Sequence, residues 1–262
     1  MFDYKTIIEK KNRAFKNWNK KNFFFEKFSK ITYSKAYELK RFYKNILLIT
    51  SDLTETVDEV QKLNYENLYY LSQYNFFKKK YFKKNSIKKI FSSFDKIPLK
   101  NNSFDLILCN FCFHYISEKK IYLQKLFNLL KKDGLLICNF FGENSLIHLK
   151  QSFILTDEKF YGGSFLRFPK NFQMVDFSNL LSQTGFSEVV SEKINFDIYY
   201  SDVFSLLDDI KNAGENFSKN VEKKITKNYL RSLETSYKKI VSNEKSKLNL
   251  KLEVVSSSCW KK

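Results

Sequence analysis

The sequence is short of the residues that build loops and linkers. Among its 262 residues there are six glycines and two prolines. Because linkers between domains draw on these residues, their scarcity and the lack of an internal repeat favour one domain. A chain of this length can bury the full core of one α/β domain. Glycine also lets the backbone approach nucleotides and phosphates closely, so its shortage bears on any nucleotide site.

Arginine is scarce as well, although the chain is strongly basic. The formal net charge is +18, yet 42 of the 46 basic residues are lysine. Specific readout of bases and phosphates favours the planar guanidinium group, so this composition argues against specific nucleic-acid recognition. Abundant lysine, asparagine, isoleucine and phenylalanine indicate an AT-rich genome. We interpret the charge, including the lysine runs at 78–80 and 83–84, as solvated faces with at most weak, salt-sensitive affinity for polyanions.

Cysteines are few, and long apolar runs are missing. Of the four cysteines, Cys109 and Cys138 fall in predicted buried strands, where a thiol packs as a small apolar group, so we expect a reducing cytoplasm. Cys109 and Cys112 lack the second ligand pair that structural zinc needs, and no metal site is predicted. No apolar run reaches the roughly 18 residues of a membrane span, and the N-terminus lacks a signal or presequence pattern.

Two apolar runs of strand length carry the clearest pattern in the chain. Residues 104–110 and 134–140 flank a segment with helical spacing at 118–130, which predicts a βαβ unit with buried parallel strands. Similar patterns predict further strands at 45–50, 67–71, 88–91, 186–192 and near 254–257. Helices are predicted at 4–30, 54–63, 144–153, 176–184, 202–213 and 218–242.

The region of the βαβ unit resembles a known family. The motifs FDLI at 104–107, HY at 114–115 and LLKKDGL at 129–135 resemble the fourth and fifth strands of class I S-adenosylmethionine (SAM) dependent methyltransferases, methyltransferase type 11. The resemblance implies an α/β fold. In this fold, a Rossmann-like seven-stranded methyltransferase sandwich, the sheet is mostly parallel and helices cover both faces.

Further motifs narrow the resemblance to one group, and together they span most of the chain. That group holds the malonyl-acyl-carrier-protein O-methyltransferases and the complex I assembly factors of mitochondria and alphaproteobacteria, whose characterised member is a protein-arginine hydroxylase. The similar segments are 141–146, 162–163 with Arg167, 185–186 and 213–215.

The resemblance also implies a division of the chain. Residues 1–30 are expected to form a helical segment packed on the domain near the substrate entrance. Residues 31–262 are expected to form the methyltransferase-like domain, with a helical insert at about 143–184. The apolar spacing within 4–30 equally fits an ordinary packing helix.

SAM is the cofactor that the resemblance implies, but three of the family's contacts are replaced in this sequence. The family has a glycine loop after the first strand, an acid for the ribose after the second and an aspartate after the third. Here residues 48–54 hold no glycine, Ser72 or Gln73 stands where the ribose acid should be, and Ser93 replaces the aspartate. A side chain in a turn that needs positive φ costs roughly 1 kcal/mol, and an unpaired diol about 1 to 3 kcal/mol.

Other cofactor positions keep the family pattern. Asp95 and Pro98 preserve the rest of the motif after the third strand. Asn110 and Phe111 end the fourth strand, where the superfamily passes its backbone along the methionine part of SAM. The resemblance therefore makes these four residues the candidate cofactor-binding residues.

The candidate substrate side is better preserved than the cofactor side. The resemblance implies that His114 is a base or a substrate-orienting group, that Arg167 binds an anion, and that Tyr115, Gly162 and Gly163 bind substrate. A packed loop histidine and an ordinary ion pair are the alternative interpretations of His114 and Arg167.

These observations favour SAM-dependent methyl transfer to an acceptor of unknown kind: a small molecule, an acyl-carrier protein or a protein side chain. The alternative is an assembly-factor-like protein, non-catalytic or arginine-hydroxylating, that keeps the fold without the usual SAM binding. Its client would be a protein such as an NADH dehydrogenase subunit. Specific nucleic-acid partners are not expected.

Overall fold

A seven-stranded sheet forms the centre of the fold. The computed structural model describes residues 4–16, 18, 23–52, 55–74, 87–165, 167–168, 171–214, 225–241 and 247–262. The strand order is β3-β2-β1-β4-β5-β7-β6. The strands are β1 (Tyr43–Thr50), β2 (Tyr65–Ser72), β3 (Ile87–Phe91), β4 (Phe104–Asn110), β5 (Leu130–Phe141), β6 (Ser187–Tyr200) and β7 (Leu248–Lys261).

The first five strands are parallel, and β7 runs antiparallel to both β5 and β6. This arrangement confirms the predicted Rossmann-like methyltransferase sandwich. The helices of the described residues are α1 (Tyr4–Phe15), α2 (Phe23–Glu38), α3 (Glu55–Val60), α4 (Lys119–Leu129), α5 (Ile147–Tyr161), α6 (Met174–Thr184), α7 (Val203–Asn212) and α8 (Lys227–Val241).

Both faces of the sheet are buried, as the continuous apolar runs of the central strands predict. In β1, Ile46 and Leu48 belong to the core on one face, whereas Leu47 and Ile49 belong to the core on the other. Successive side chains of a strand point to opposite faces, so an unbroken apolar run needs cover on both sides. The carboxyl ends of the parallel strands therefore meet at one covered edge, which is where ligands bind in open α/β sheets.

The predicted βαβ unit is confirmed, and most other elements lie where the spacing places them. Gly185 adopts φ +103° and ends α6, as a glycine cap predicts. Strands β6 and β7 are much longer than predicted, with 14 residues each. The outer strand β6 alternates half-buried and exposed side chains and carries charges, so its sequence lacks the continuous apolar run of a buried strand.

The single helix predicted over residues 4–30 is wrong. In the described part of this segment α1 ends at Phe15 and α2 begins at Phe23. Because α2 continues to Glu38, the predicted boundary at residue 30 lies inside a helix. The extra turns are held by tertiary contacts, because Thr32 and Ala36 are buried against the sheet. Some predictions fall outside the described residues: the lysine runs at 78–80 and 83–84, Thr54, and the first part of the helix at 218–242. Among the described helices, none has the length and apolar character that crossing a bilayer requires.

Candidate functional site

Polar side chains meet where β1, β4 and β5 end. Thr50, Asn110 and Asn139 lie side by side in the strand register, and all three are fully buried. Thr32 of α2 donates its hydroxyl to Asn110 Oδ1 at 2.8 Å and accepts from Asn139 Nδ2 at 2.6 Å. Since buried polar groups are costly unless bonded, this network fixes α2 across the carboxyl edge of the sheet.

Asp52 stands in the turn where the family has its glycine loop. Its carboxylate accepts from the Thr50 hydroxyl at 2.7 Å, from the Thr56 hydroxyl and from the Thr56 amide at 3.3 Å. Burial, followed by the nearby Glu55 carboxylate, raises the pKa of Asp52 to about 6. The carboxylate is thus turned into the protein, where it caps the start of α3.

An aromatic layer covers this turn. Trp18 donates its indole N–H to Glu55 Oε2 at 2.8 Å and stacks on Phe25 with ring centroids 5.0 Å apart. Phe15 packs edge-on against Trp18 and against Tyr74, which follows β2. As a result the residues of the turn, Thr50, Ser51 and Asp52, are at most 1% exposed.

These described residues do not fit SAM held by the family's contacts. The described part of the turn after β1, residues 50–52, carries side chains that bond to one another, so these residues present no bare backbone to a ligand. After β2 there is no carboxylate at residues 72–74 for a ribose. Gln73 donates to the Tyr74 hydroxyl at 3.1 Å, and its buried carbonyl oxygen lacks a described partner. One amide oxygen is a weaker acceptor for a ribose diol than the two oxygens of a carboxylate.

An apolar cleft opens beside the network. The empty volume of the cleft, including the part that is open to solvent, is about 620 Å³. Aromatic and aliphatic side chains of α2, β5, α7 and β7 and of the segments on either side of α5 form the walls. Four polar side chains also line the cleft: His114, Ser145, Lys150 and Asn171. Concave sites with apolar walls and a few polar groups are typical binding sites.

The N-terminal helices form part of the cleft's surroundings. Phe24 and Phe25 of α2 line the cleft, as does Ala213 at the end of α7. Lys11 of α1 donates to the Ala213 carbonyl at 3.0 Å and lies 4.7 Å from the ring centre of Phe25. A cation at a helix C-terminus stabilises the unpaired carbonyls, so α1 holds α7 in place beside the opening.

Of the candidate residues near β4, one lines the cleft and the others lie behind it. His114 lines the cleft, and its ring centre is 4.1 Å from that of Tyr115. Tyr115 is fully buried and stacks on Phe94. Phe111 has φ +52° and packs on Phe141, while Asn110 belongs to the polar network. His114 is therefore the candidate that can touch a bound ligand.

The remaining candidate residues do not line the cleft. Gly162 ends α5 with φ +70°. A Cβ atom added to Gly162 or to Gly163 would meet no neighbouring group within 4 Å, so both glycines border open space. Asp95 and Pro98 are exposed in the segment between β3 and β4. Arg167 is 7% exposed, and its Nε donates to Asp157 Oδ2 at 2.9 Å inside the insert.

Four residues that matter here escaped the sequence analysis. Thr32 and Thr56 lie in helices, where a polar residue usually faces solvent. Asn139, like Asn110, ends a predicted buried strand, and a polar residue in that position was the available signal. Lys150 is one of 42 lysines, so nothing in the sequence set it apart.

The four cysteines are buried and free. Cys109 and Cys138 are register neighbours on β4 and β5, and hydrogen bonds from the Cys112 and Cys138 thiols lower the pKa of Cys109. Within the part of the chain that the structure describes, no three His, Cys, Asp or Glu residues are grouped to hold a metal ion.

Comparisons with known proteins agree with the fold. A methyltransferase-domain family matches residues 50–138. A putative methyltransferase of Rickettsia prowazekii, RP459, is 31% identical over 173 residues, which cover 60% of this chain and 75% of RP459. The Bacillus protein YcgJ has a TM-score of 0.60 at 12% identity, covering 88% of this chain and 98% of YcgJ, which supports the fold alone.

Two further relatives carry more specific names. The rat mitochondrial arginine-hydroxylase NDUFAF5 is 24% identical over 166 residues, which cover 63% of this chain and 48% of that protein. A malonyl-[acyl-carrier protein] O-methyltransferase of Gallionella capsiferriformans is 29% identical over 120 residues, covering 46% of this chain and 39% of the enzyme. The chain spans about half the length of the NDUFAF5 relatives it matches. By fold, family match and relatives, the chain belongs to the class I SAM-dependent methyltransferase superfamily, in the group that holds malonyl-acyl-carrier-protein O-methyltransferases and NDUFAF5.

Proposed function

We propose that this methyltransferase-like protein works through its apolar cleft, where it binds an acceptor or client group, and that it does not hold SAM by the family's contacts. The observation that carries this proposal is the inward carboxylate of Asp52, bonded to Thr50 and Thr56 where the family has glycine. The cover of Trp18 over the same turn supports it. The cleft, in contrast, is open and lined by groups that suit a ligand.

The proposed roles follow from the positions of the side chains. His114, on the cleft wall, orients the bound group, and Tyr115 and Phe141 hold the imidazole ring from behind. Asn171 shapes the polar end of the cleft, because its Nδ2 donates to the Gly142 carbonyl at 2.7 Å. Asn110 and Phe111 support this wall through the polar network and ring packing.

Methyl transfer is the second candidate function. The match of residues 50–138 to a methyltransferase domain and the names of several relatives favour it. The acceptor would enter the same cleft, and a cofactor would need a site other than the covered turn after β1. The name arginine-hydroxylase suggests a protein client for a relative; for this chain, an NADH dehydrogenase subunit in the cytoplasm stays a proposal.

Calorimetric titration with SAM and with S-adenosylhomocysteine separates the two functions. The first function, binding in the cleft without the family's SAM contacts, predicts no saturable heat of SAM binding at concentrations up to about 1 mM. The reason is that contacts worth several kcal/mol are missing. The variant Trp18→Ala opens the aromatic cover and serves as a comparison. Saturable binding to the unaltered chain below about 100 µM would overturn the first function and favour methyl transfer.

A further inference from the structure

Among the described residues, one lysine lines the apolar cleft. Lys150 lies in the first turn of α5, is half-buried and lines the cleft. Phe141, Leu146 and Phe168 line the same cleft. Within the described part of the chain the ammonium group of Lys150 has neither a hydrogen bond nor an ion pair, and partial burial makes an unpaired charge costly.

No acidic side chain lines the cleft among the described residues. Acids on β7, α8 and α7 bind other groups. Glu253 of β7 accepts from Asn144 Nδ2 at 2.8 Å, and Glu234 of α8 pairs with Lys238 at 2.6 Å. On α7, Asp208 accepts from Asn212 at 2.9 Å. The cleft thus has a positive charge, apolar walls and no described counter-charge.

We propose that this cleft binds an apolar chain that ends in a carboxylate, with the carboxylate on Lys150 and the chain against the phenylalanine and leucine walls. The inference deepens the proposed function, because it names the ligand class of the same cleft. A carboxylate supplies the missing counter-charge in a partly dry site, where ion pairs are stronger than in water. The apolar chain buries against Phe24, Phe25 and Leu252.

The proposal has a pH signature. Burial lowers the pKa of Lys150 to about 8, and no charge on a neighbouring element contributes to that shift. A bound carboxylate favours the ammonium form and raises the pKa again, so binding takes up a proton near pH 8. Affinity therefore falls as the pH rises through 8. His114 is the other titratable side chain that lines the described cleft.

The test is calorimetric titration with decanoate at pH 7 and at pH 9.5, with decanol as the uncharged comparison. We expect decanoate affinity to fall more than about tenfold between the two values, and decanol affinity to stay constant. Lys150→Met should bind decanoate about tenfold more weakly at pH 7 and lose the pH dependence. Lys150→Arg should keep its affinity at pH 9.5, because guanidinium remains protonated.

Two controls make the result decisive. Lys159→Met removes an exposed lysine from the same helix and should leave binding unchanged, whereas an equal loss there would reveal surface binding and overturn the proposal. His114→Gln should keep the pH dependence, and its disappearance would assign the titration to His114 instead. Absence of decanoate binding also overturns the proposal, whatever the SAM titration shows, because the two experiments use different ligands.

Discussion

At the scale of single residues, Asp52 decides most about the site. In the family this turn needs bare backbone, whereas in this chain it carries the carboxylate of Asp52. Four donors surround that carboxylate: two hydroxyls, an amide N–H and Asn110 Nδ2 at 3.5 Å. Burial and Glu55 raise its pKa to about 6 from the ordinary 3.8. The folded chain therefore holds a proton on Asp52 that the unfolded chain releases between about pH 4 and pH 6.

Asp52→Asn tests this directly by urea denaturation across pH. In the unaltered protein the Asp52 contribution to the free energy of unfolding falls as pH rises from about 4 to about 6 and is level above. The pKa difference corresponds to about 3 kcal/mol. Asparagine does not titrate. The free energy of unfolding of the variant, relative to that of the unaltered protein, should therefore rise by about 3 kcal/mol as the pH rises from 4 to 7.

The control for this experiment is Asp133→Asn at an exposed position near the start of β5. A surface substitution should change the free energy of unfolding by less than about 0.5 kcal/mol. If Asp52→Asn and the unaltered protein keep a constant difference from pH 4 to pH 7, the carboxylate is solvated and the turn is open to a ligand.

At the scale of elements, the insert is held together by a buried ion pair. Asp157 of α5 is fully buried and accepts from Arg167 and from the Tyr229 hydroxyl of α8, the latter at 2.5 Å. The Arg167 guanidinium lies over the Phe153 ring at 4.9 Å. The pair thus joins α5, the segment after it and α8, and this contact accounts for Arg167 without a substrate.

Arg167→Met should lower the free energy of unfolding by about 3 kcal/mol or more, since it leaves Asp157 buried without its cation. Urea denaturation measures the change. Arg231→Met, at an exposed position of α8, is the matched control and should cost less than about 0.5 kcal/mol. An Arg167→Met protein of unaltered stability would instead leave Arg167 available for the anion-binding role that the family resemblance implies.

At the scale of the whole molecule, charge is the dominant property. A net charge of +18 carried by lysine gives a long-range attraction for polyanions without the planar groups that read sequence. Among the described residues, Lys150 is the one lysine that lines the cleft, and the polar network contains none, so most of this charge lies away from the proposed site.

Binding to DNA should consequently be weak, independent of sequence and sensitive to salt. Fluorescence anisotropy with two unrelated duplexes of about 20 base pairs should give equal affinities, falling more than about tenfold between roughly 50 mM and 200 mM salt. Counterion release explains the loss, because the ions displaced from the phosphates gain less entropy when the surrounding salt is more concentrated. A clear preference for one duplex, or binding that survives the added salt, would contradict the interpretation of the charge as solvated lysine.

Much of the fold was predictable because its signals are local. The runs at 104–110 and 134–140 and the helix between them follow from apolar spacing, and Gly185 ended its helix as expected. The length of β6 was not predictable, because its charged and apolar residues alternate on an outer strand. Within the candidate site, the loss of the glycine loop was visible in the sequence. The place of Lys150 in the cleft was not, because nothing distinguishes it from the other lysines.

The sequence by itself determined the order of strands and helices, the family and the absence of the usual glycine turn, since each depends on neighbouring residues. Only the tertiary structure decided that Asp52 faces inward, that Arg167 pairs with Asp157 and that Lys150 lines an apolar cleft. These outcomes depend on which side chains meet across long stretches of chain. Burial, which sets the pKa values and the cost of each charge, exists only once those contacts have formed.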